Sequence, residues 1–164
     1  MMKPSVSISH IMPRMQKKVE RPVRVAPETA RRMSRTPQRD NPHERSLRSE
    51  LHRRGLRFRL HRRLILGSRR SVDIVFPASR TAVFVDGCFW HGCPVHGTWP
   101  KNNAEWWRAK IETNIARDRD TNDKLADAGW TVLRVWEHED LSAAADRIED
   151  AVRRAGGQRA KMRP

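Results

Sequence analysis

The chain is short of acid, of cysteine and of long apolar runs. Only 19 of its 164 residues are Asp or Glu, against 34 Lys and Arg, for a net charge of +15. No apolar run approaches the roughly 20 residues that a membrane-spanning helix needs, so no transmembrane span and no membrane partner are expected. Two cysteines and no secretory leader pattern exclude a small domain stapled by disulfides. Aromatics are few, yet six Trp and four Phe, nearly all beyond residue 75, suffice for a core and exclude a wholly disordered chain. The length suits about one domain.

The shortage of acid is uneven. Residues 1–80 hold 21 basic and 6 acidic residues, whereas residues 81–164 balance at 13 of each. The whole excess therefore lies in the first half. This points to a basic flank facing a polyanion, most commonly nucleic acid, joined to a balanced globular part. A solubilising tail without a specific partner is the plainer alternative.

Residues 1–27, with Pro4, Pro13, Pro22 and Pro27 and no apolar period, read as a disordered basic arm. Residues 28–39 suit a short basic helix that Pro37 ends. Asn41-Pro42 with Glu44 forms a capping box for a helix carrying Leu47 and Leu51 and ending at Gly55. Residues 56–66 read as a basic strand or hairpin arm, with Gly67-Ser68 as its turn. Residues 71–76 and 81–86 are apolar and β-branched, as central strands are. A Cys/His/Gly/Pro-rich loop covers 87–101. Asn102 with Glu105 predicts a second capping box, opening a helix with Trp107, Ile111 and Ile115 that Gly129 ends. Residues 131–136 form another strand. A last helix with Leu141, Ala145, Ile148 and Val152 on one stripe is expected to stop at Gly156-Gly157. This order implies an α/β domain over 28–154, with a mixed sheet between helices, and a flexible basic tail over 155–164.

Chemistry concentrates in the loop. Cys88, Cys93 and His96 lie within nine residues at spacing C-x4-C-x2-H. A structural zinc takes four Cys or His ligands. His138, just past the last strand, is the natural fourth, and His91 between the cysteines competes for that place. Two buried thiols and a polar turn are the alternative without metal. Asp73 interrupts an apolar strand, and Asp86 ends the next. Carboxylates at neighbouring strand ends suit Mg²⁺ beside a phosphate, although a strand Asp also commonly pairs with Arg. His91 sits where a general base could stand, or is a ligand or a surface residue. Phe89-Trp90 and Trp106-Trp107 are adjacent aromatics, so at least one of each pair is expected at the surface, where DNA binders use such side chains as wedges. Covering the metal loop is the other role open to them.

Gly87-Cys-Phe-Trp-His-Gly-Cys-Pro94 with His96, then Asn103, Trp107, Lys110, Asn114 and Arg117-Asp118, then Gly129-Trp130 and Val135-Trp136-Glu137, together resemble the very-short-patch repair endonucleases. These are bacterial DNA mismatch enzymes. Thr29-Ala-Arg-Arg-Met33, Arg39-Asp40 and Glu44 are similar to their N-terminal signature, so the likeness runs over roughly residues 28–152 in order and spacing. The resemblance implies a restriction-endonuclease-like fold, a central mixed β-sheet flanked by helices, with a structural zinc. It implies a Mg²⁺-dependent nick 5′ of the T in a T·G mismatch left by deamination of 5-methylcytosine.

Carried over by position, Asp73 and the Val85 carbonyl are the expected Mg²⁺ contacts. His91 is the catalytic histidine, and Glu44 an acid near the active site. Phe89, Trp90 and Trp107 match intercalating aromatics, with Lys110 and Asn114 among the DNA-binding positions. Cys88, Cys93, His96 and His138 match the zinc ligands. Val85-Asp86 departs from a Thr-His pair familiar in the family, so Asp86 is expected to join the catalytic group as a second carboxylate or by altering proton transfer. His138 stands where Cys is often found. The partners implied are double-stranded DNA with a T·G mismatch and other mismatch repair proteins, met by a monomer in the cytoplasm, at the nucleoid. The rivals are a non-catalytic zinc-stabilised DNA-binding module and a nuclease of the same fold with another DNA target.

Overall fold

The computed structural model describes residues 41–161, with side chains described through residue 157. The arm expected over 1–27 and the helix expected over 28–39 lie outside the described residues. The described part contains α1 (Pro42–Arg53), β1 (Arg59–Arg62), β2 (Val72–Phe76), β3 (Thr81–Asp86), α2 (Ala104–Asp127), β4 (Thr131–Trp136) and α3 (Leu141–Lys161).

The four strands lie in the order β1-β2-β3-β4. β1 with β2, and β2 with β3, are antiparallel; β3 with β4 is parallel, in register from Thr81–Thr131 to Asp86–Trp136. The sheet is therefore mixed, as the element order implied. A parallel pair needs a long crossover, and the 24-residue α2 supplies it. Among the described residues no helix is long and apolar enough to cross a membrane.

Each face of the sheet buries its own core. On one, Ile74, Phe76, Val83 and Val135 meet Leu47 and Leu51 of α1 and Ala144, Ala145 and Ile148 of α3. On the other, Val72, Val75, Ala82 and Phe84 meet Leu125 of α2, with Leu64, Ile65 and Trp130 at the margin. Arg54 ties α1 to α3 through Glu149, 3.1 Å away, and the Ser142 hydroxyl, 3.2 Å away.

The caps follow the sequence at one helix and depart from it at two. Asn41 Oδ1 accepts the Glu44 N–H at 2.7 Å, as expected at the start of α1. At α2 the capping residue is Asn103, not Asn102. It is left-handed (φ 56°) and makes no side-chain cap, so the expected second capping box does not form. Asparagine tolerates that region, and the turn out of the loop uses it. Gly129 (φ 75°) ends α2 as expected. The expected stop at Gly156-Gly157 is overturned: α3 runs on to Lys161. Glycine weakens a helix interior but does not block it, and the next proline is Pro164.

Ile148 is fully buried between α3 and the sheet. Ile148→Ala is expected to cost about 2–5 kcal/mol of unfolding free energy in a denaturant titration. A loss near zero would show that α3 is not part of this core.

Candidate active site and metal centre

β2 and β3 part company after Ile74–Val83. Beyond that pair, the Val85 N–H donates not to a strand carbonyl but to Asp73 Oδ2, at 2.9 Å. Asp73 is thereby fixed in the fork between the strands. Burial raises its carboxyl from the ordinary 3.8 to about 6. The Val85 N–H opposes that rise, the charges of Glu44 and Asp86 add to it, and His61 opposes it. Glu44, from the first turn of α1, is buried, with Oε1 3.2 Å from Arg48 Nη1 and 3.7 Å from His61 Nε2. His61 lies between the register pairs Leu60–Ile74 and Arg62–Val72, which places it across from Asp73. Three acids from α1, β2 and β3 thus gather at one end of the sheet. A buried carboxylate whose ionisation is disfavoured by burial and by two neighbouring acids suits a divalent cation, with Asp73 and the neighbouring Val85 backbone the residues to hold it.

His91 stands beside this group. Its Nδ1 lies 2.6 Å from Asp118 Oδ2 and 3.6 Å from Asp86 Oδ1. Burial works to lower the His91 pKa, but the Asp118 hydrogen bond and the charges of Asp86 and Asp118 outweigh it and raise the value. Asp86 is nearly buried, and its carboxyl is pushed up by that burial against the pull of Arg134 and His91. Its other oxygen, Oδ2, takes Arg134 Nη1 at 2.6 Å. Asp86 therefore approaches the histidine directly and acts on Asp73 through its charge. With Nδ1 committed to carboxylates, the ring's Nε2 is the nitrogen left to exchange a proton with another molecule.

A second cluster forms from the loop and the end of β4. The ligand atoms of Cys88, Cys93, His96 and His138 all lie within 4.8 Å of one another. Cys88 Sγ is 3.0 Å and Cys93 Sγ 3.6 Å from His138 Nδ1. Two thiols and two imidazoles in this grouping fit a tetrahedral zinc. Of the two histidines competing for the fourth place, His138 is in the cluster and His91 turns to Asp118. The Cys88 N–H donates to Glu137 Oε1 at 2.8 Å, which pins the loop to the strand end. Gly97 closes the turn: its N–H reaches the Cys93 carbonyl at 2.8 Å, and a Cβ there would lie 2.4 Å from that oxygen. Gly92 has φ +63°, and a Cβ there would meet Ile115 at 2.7 Å.

The aromatics form one nest. Trp107 is almost wholly buried, and its ring centroid lies 4.7 Å from Trp106, 5.2 Å from Phe89 and 5.9 Å from Trp90. Phe89 and Trp90 are half-buried at its edge. Trp107 therefore serves as the base of the nest, and the loop pair offers the accessible faces. Asn114 is also buried; its amide donates to the Trp90 carbonyl at 3.0 Å and so holds the loop to α2. Lys110, half-buried, is on the same helix.

Among the described residues, the acids with His91, the cysteine–histidine cluster, and the aromatics with Asn114 thus form three groups, while Lys110 is placed only on the same helix as Trp107 and Asn114. Sequence reasoning assigned no role to His61, Asp118 or Arg134. Asp118 had a signal, in the Arg117-Asp118 pair of the family pattern, and Arg134 is the one charge within the otherwise apolar strand 131–136. His61 had none, being one more basic residue in a basic stretch.

Comparison with known proteins gives a consistent result. A family profile described as DNA mismatch endonuclease Vsr matches residues 26–96. The chain is 46% identical over 111 residues to the type II nicking enzyme V.NaeI of Lentzea aerocolonigenes, covering 66% of this chain and 67% of that protein. It is 46% identical over 82 residues to the type II nicking enzyme V.XorIIP of Xanthomonas oryzae pv. oryzae, covering 48% and 60%. It is 40% identical over 67 residues to the DNA mismatch endonuclease Vsr of Escherichia coli, covering 40% and 42%. The chain thus spans about two thirds of the first of these relatives and less of the others.

Two predictions follow from the geometry. The folded-state pKa of Asp73 lies above its ordinary value, so ionisation above about pH 6 disfavours the folded state, and the penalty disappears below about 3.8. In metal-free buffer, Asp73→Asn is expected to raise the thermal midpoint at slightly alkaline pH, with the gain fading as the pH falls through 6. An unchanged or lower alkaline midpoint would contradict it. Gly97→Ala is expected to lower the thermal midpoint, since the added methyl collides with the Cys93 carbonyl, and an unchanged midpoint would contradict it.

Proposed function

Because the chain belongs to the DNA mismatch endonuclease Vsr family, we propose that it nicks one strand of duplex DNA 5′ of the T in a T·G mismatch. The observation that carries this reading is His91, backed by Asp118 and Asp86, beside the acids gathered around Asp73. A buried acid group next to an oriented imidazole is the apparatus of metal-assisted phosphodiester hydrolysis.

Asp73 and the Val85 carbonyl would hold Mg²⁺, with Asp86 and Glu44 close enough to add negative charge. When bound, Mg²⁺ polarises the scissile phosphate and stabilises the charge that develops on it. His91 Nε2 accepts a proton from the attacking water, whose oxygen bonds to phosphorus as the bond to the leaving oxygen breaks. Asp118 fixes the ring by its hydrogen bond to Nδ1. Phe89 and Trp90 enter the stack beside the mismatch, where unstacking costs least. Trp107 supports them from beneath, and Lys110 faces the backbone. The Cys88, Cys93, His96 and His138 cluster would bind zinc and keep rigid the loop that carries both His91 and the wedge. The basic first half neutralises phosphates, so affinity falls steeply with salt.

A strand-resolved nicking assay tests this, using a duplex with one T·G pair, a matched duplex, and Mg²⁺ or EDTA. The expected result is a Mg²⁺-dependent nick 5′ of the mismatched T. Asp73→Ala and His91→Ala are each expected to lower nicking by about 100-fold or more while duplex binding persists. Faster cutting of a branched junction would refute the mismatch substrate. Tight binding without any cut would favour a non-catalytic DNA-binding module. Elemental analysis is expected to find about one zinc per chain.

A further inference from the structure

The two carboxylates that face His91 are gripped from behind by a single guanidinium. Arg134 Nη1 lies 2.6 Å from Asp86 Oδ2, and Nη2 lies 3.2 Å from Asp118 Oδ1. The opposite oxygens of the same two carboxylates, Asp86 Oδ1 and Asp118 Oδ2, both point at His91 Nδ1, at 3.6 and 2.6 Å. The guanidinium is itself fixed. Its Nε donates to Asn122 Oδ1 at 3.2 Å, and its plane sits over the Phe84 ring at 4.7 Å from the centroid. The Arg147 side chain meets the Arg134 backbone carbonyl at 3.0 Å.

We propose that Arg134 is a positioning residue that sets the orientation of His91 by holding Asp86 and Asp118 in one bracket around Nδ1. The proposal rests on His91 being the base. Its physical basis is charge and shape. Two carboxylates converging on one nitrogen repel each other, and with Asp86 nearly buried water screens them poorly. A planar fork donates to one oxygen of Asp86, pairs its second nitrogen with one oxygen of Asp118, and leaves the other oxygen of each aimed forward. A point charge on a flexible stem neutralises but does not aim. Arg134 also draws Asp86 Oδ2 toward α2, so that Asp86 serves the histidine with one oxygen and is restrained from swinging freely around the acid group.

The test separates aim from charge. Arg134→Gln and Arg134→Lys are compared with wild type for kcat, KM and duplex binding on the T·G substrate. Arg134→Gln is expected to lower kcat by about 100-fold, the scale of a misplaced catalytic group, with KM and binding within about twofold. Arg134→Lys, which keeps the charge, is expected to recover less than a tenth of the wild-type kcat. Wild-type kcat in Arg134→Lys would overturn the proposal, because charge alone would then suffice. If Arg134→Gln does not fold, Arg134→Lys and Asn122→Ala decide the matter, and wild-type kcat in both overturns it. A further readout does not depend on nicking. Without DNA, the proton spectrum is expected to show a downfield His91 Nδ1–H resonance that is lost or markedly shifted in Arg134→Lys, and an unmoved resonance counts against the bracket. If the wild type cuts no duplex yet this resonance behaves as expected, the endonuclease reading fails and the bracket stands.

Discussion

The parallel pairing of β3 with β4 is the contact on which the rest depends. Its register runs to Asp86–Trp136 and is extended by the Glu137 N–H to the Asp86 carbonyl at 3.0 Å. Two segments 50 residues apart therefore leave the sheet side by side. One continues into Cys88, His91 and Cys93, and the other into Glu137 and His138. Glu137 takes the Cys88 N–H, and His138 meets both thiols. A slip of one residue in this ladder would reverse every side chain of β4 and dissolve the cluster. It would also carry Arg134 to the opposite face, away from Asp86.

The crossover that makes a parallel pair possible is also part of the site. α2 starts just beyond the cysteine–histidine loop and returns along the sheet to β4. On the way it places Trp107 beneath Phe89 and Trp90, Ile111 and Ile115 beneath Gly92, Asn114 under the Trp90 carbonyl, and Asp118 against His91. The loop is thus braced along one helix and clamped at its base by the cysteine–histidine cluster. Rigid support of this kind suits side chains that must meet a substrate in one geometry.

Acid at the end of the sheet runs against stability. Asp73 and Asp86 both have raised pKa values, chiefly because burial disfavours their charge. Each has only partial compensation, Asp73 from the Val85 N–H and Asp86 from Arg134. Residues kept at a cost to the fold are characteristic of sites that do chemistry. Farther along the sheet, Leu47, Leu51, Ile74 and Ile148 are fully buried among apolar neighbours.

Local chemistry made much of this protein legible in its sequence. The three apolar strands, the Asn41 cap and the Gly129 stop follow from short-range preferences that operate within a few residues. So does the density of metal-binding side chains in one loop. Short-range preference was also where the errors lay: Asn102 has the right chemistry for a cap, but Asn103 takes the position in a left-handed conformation, and Gly156-Gly157 invites a stop that nothing enforces. Which histidine joins the cysteines, that Trp107 lies beneath the aromatic nest, and that Arg134 grips Asp86 and Asp118 were decided only by tertiary structure. Each depends on residues brought together across the β3–β4 ladder or along the crossover helix. No spacing in the chain encodes such a distance until the sheet has chosen its register.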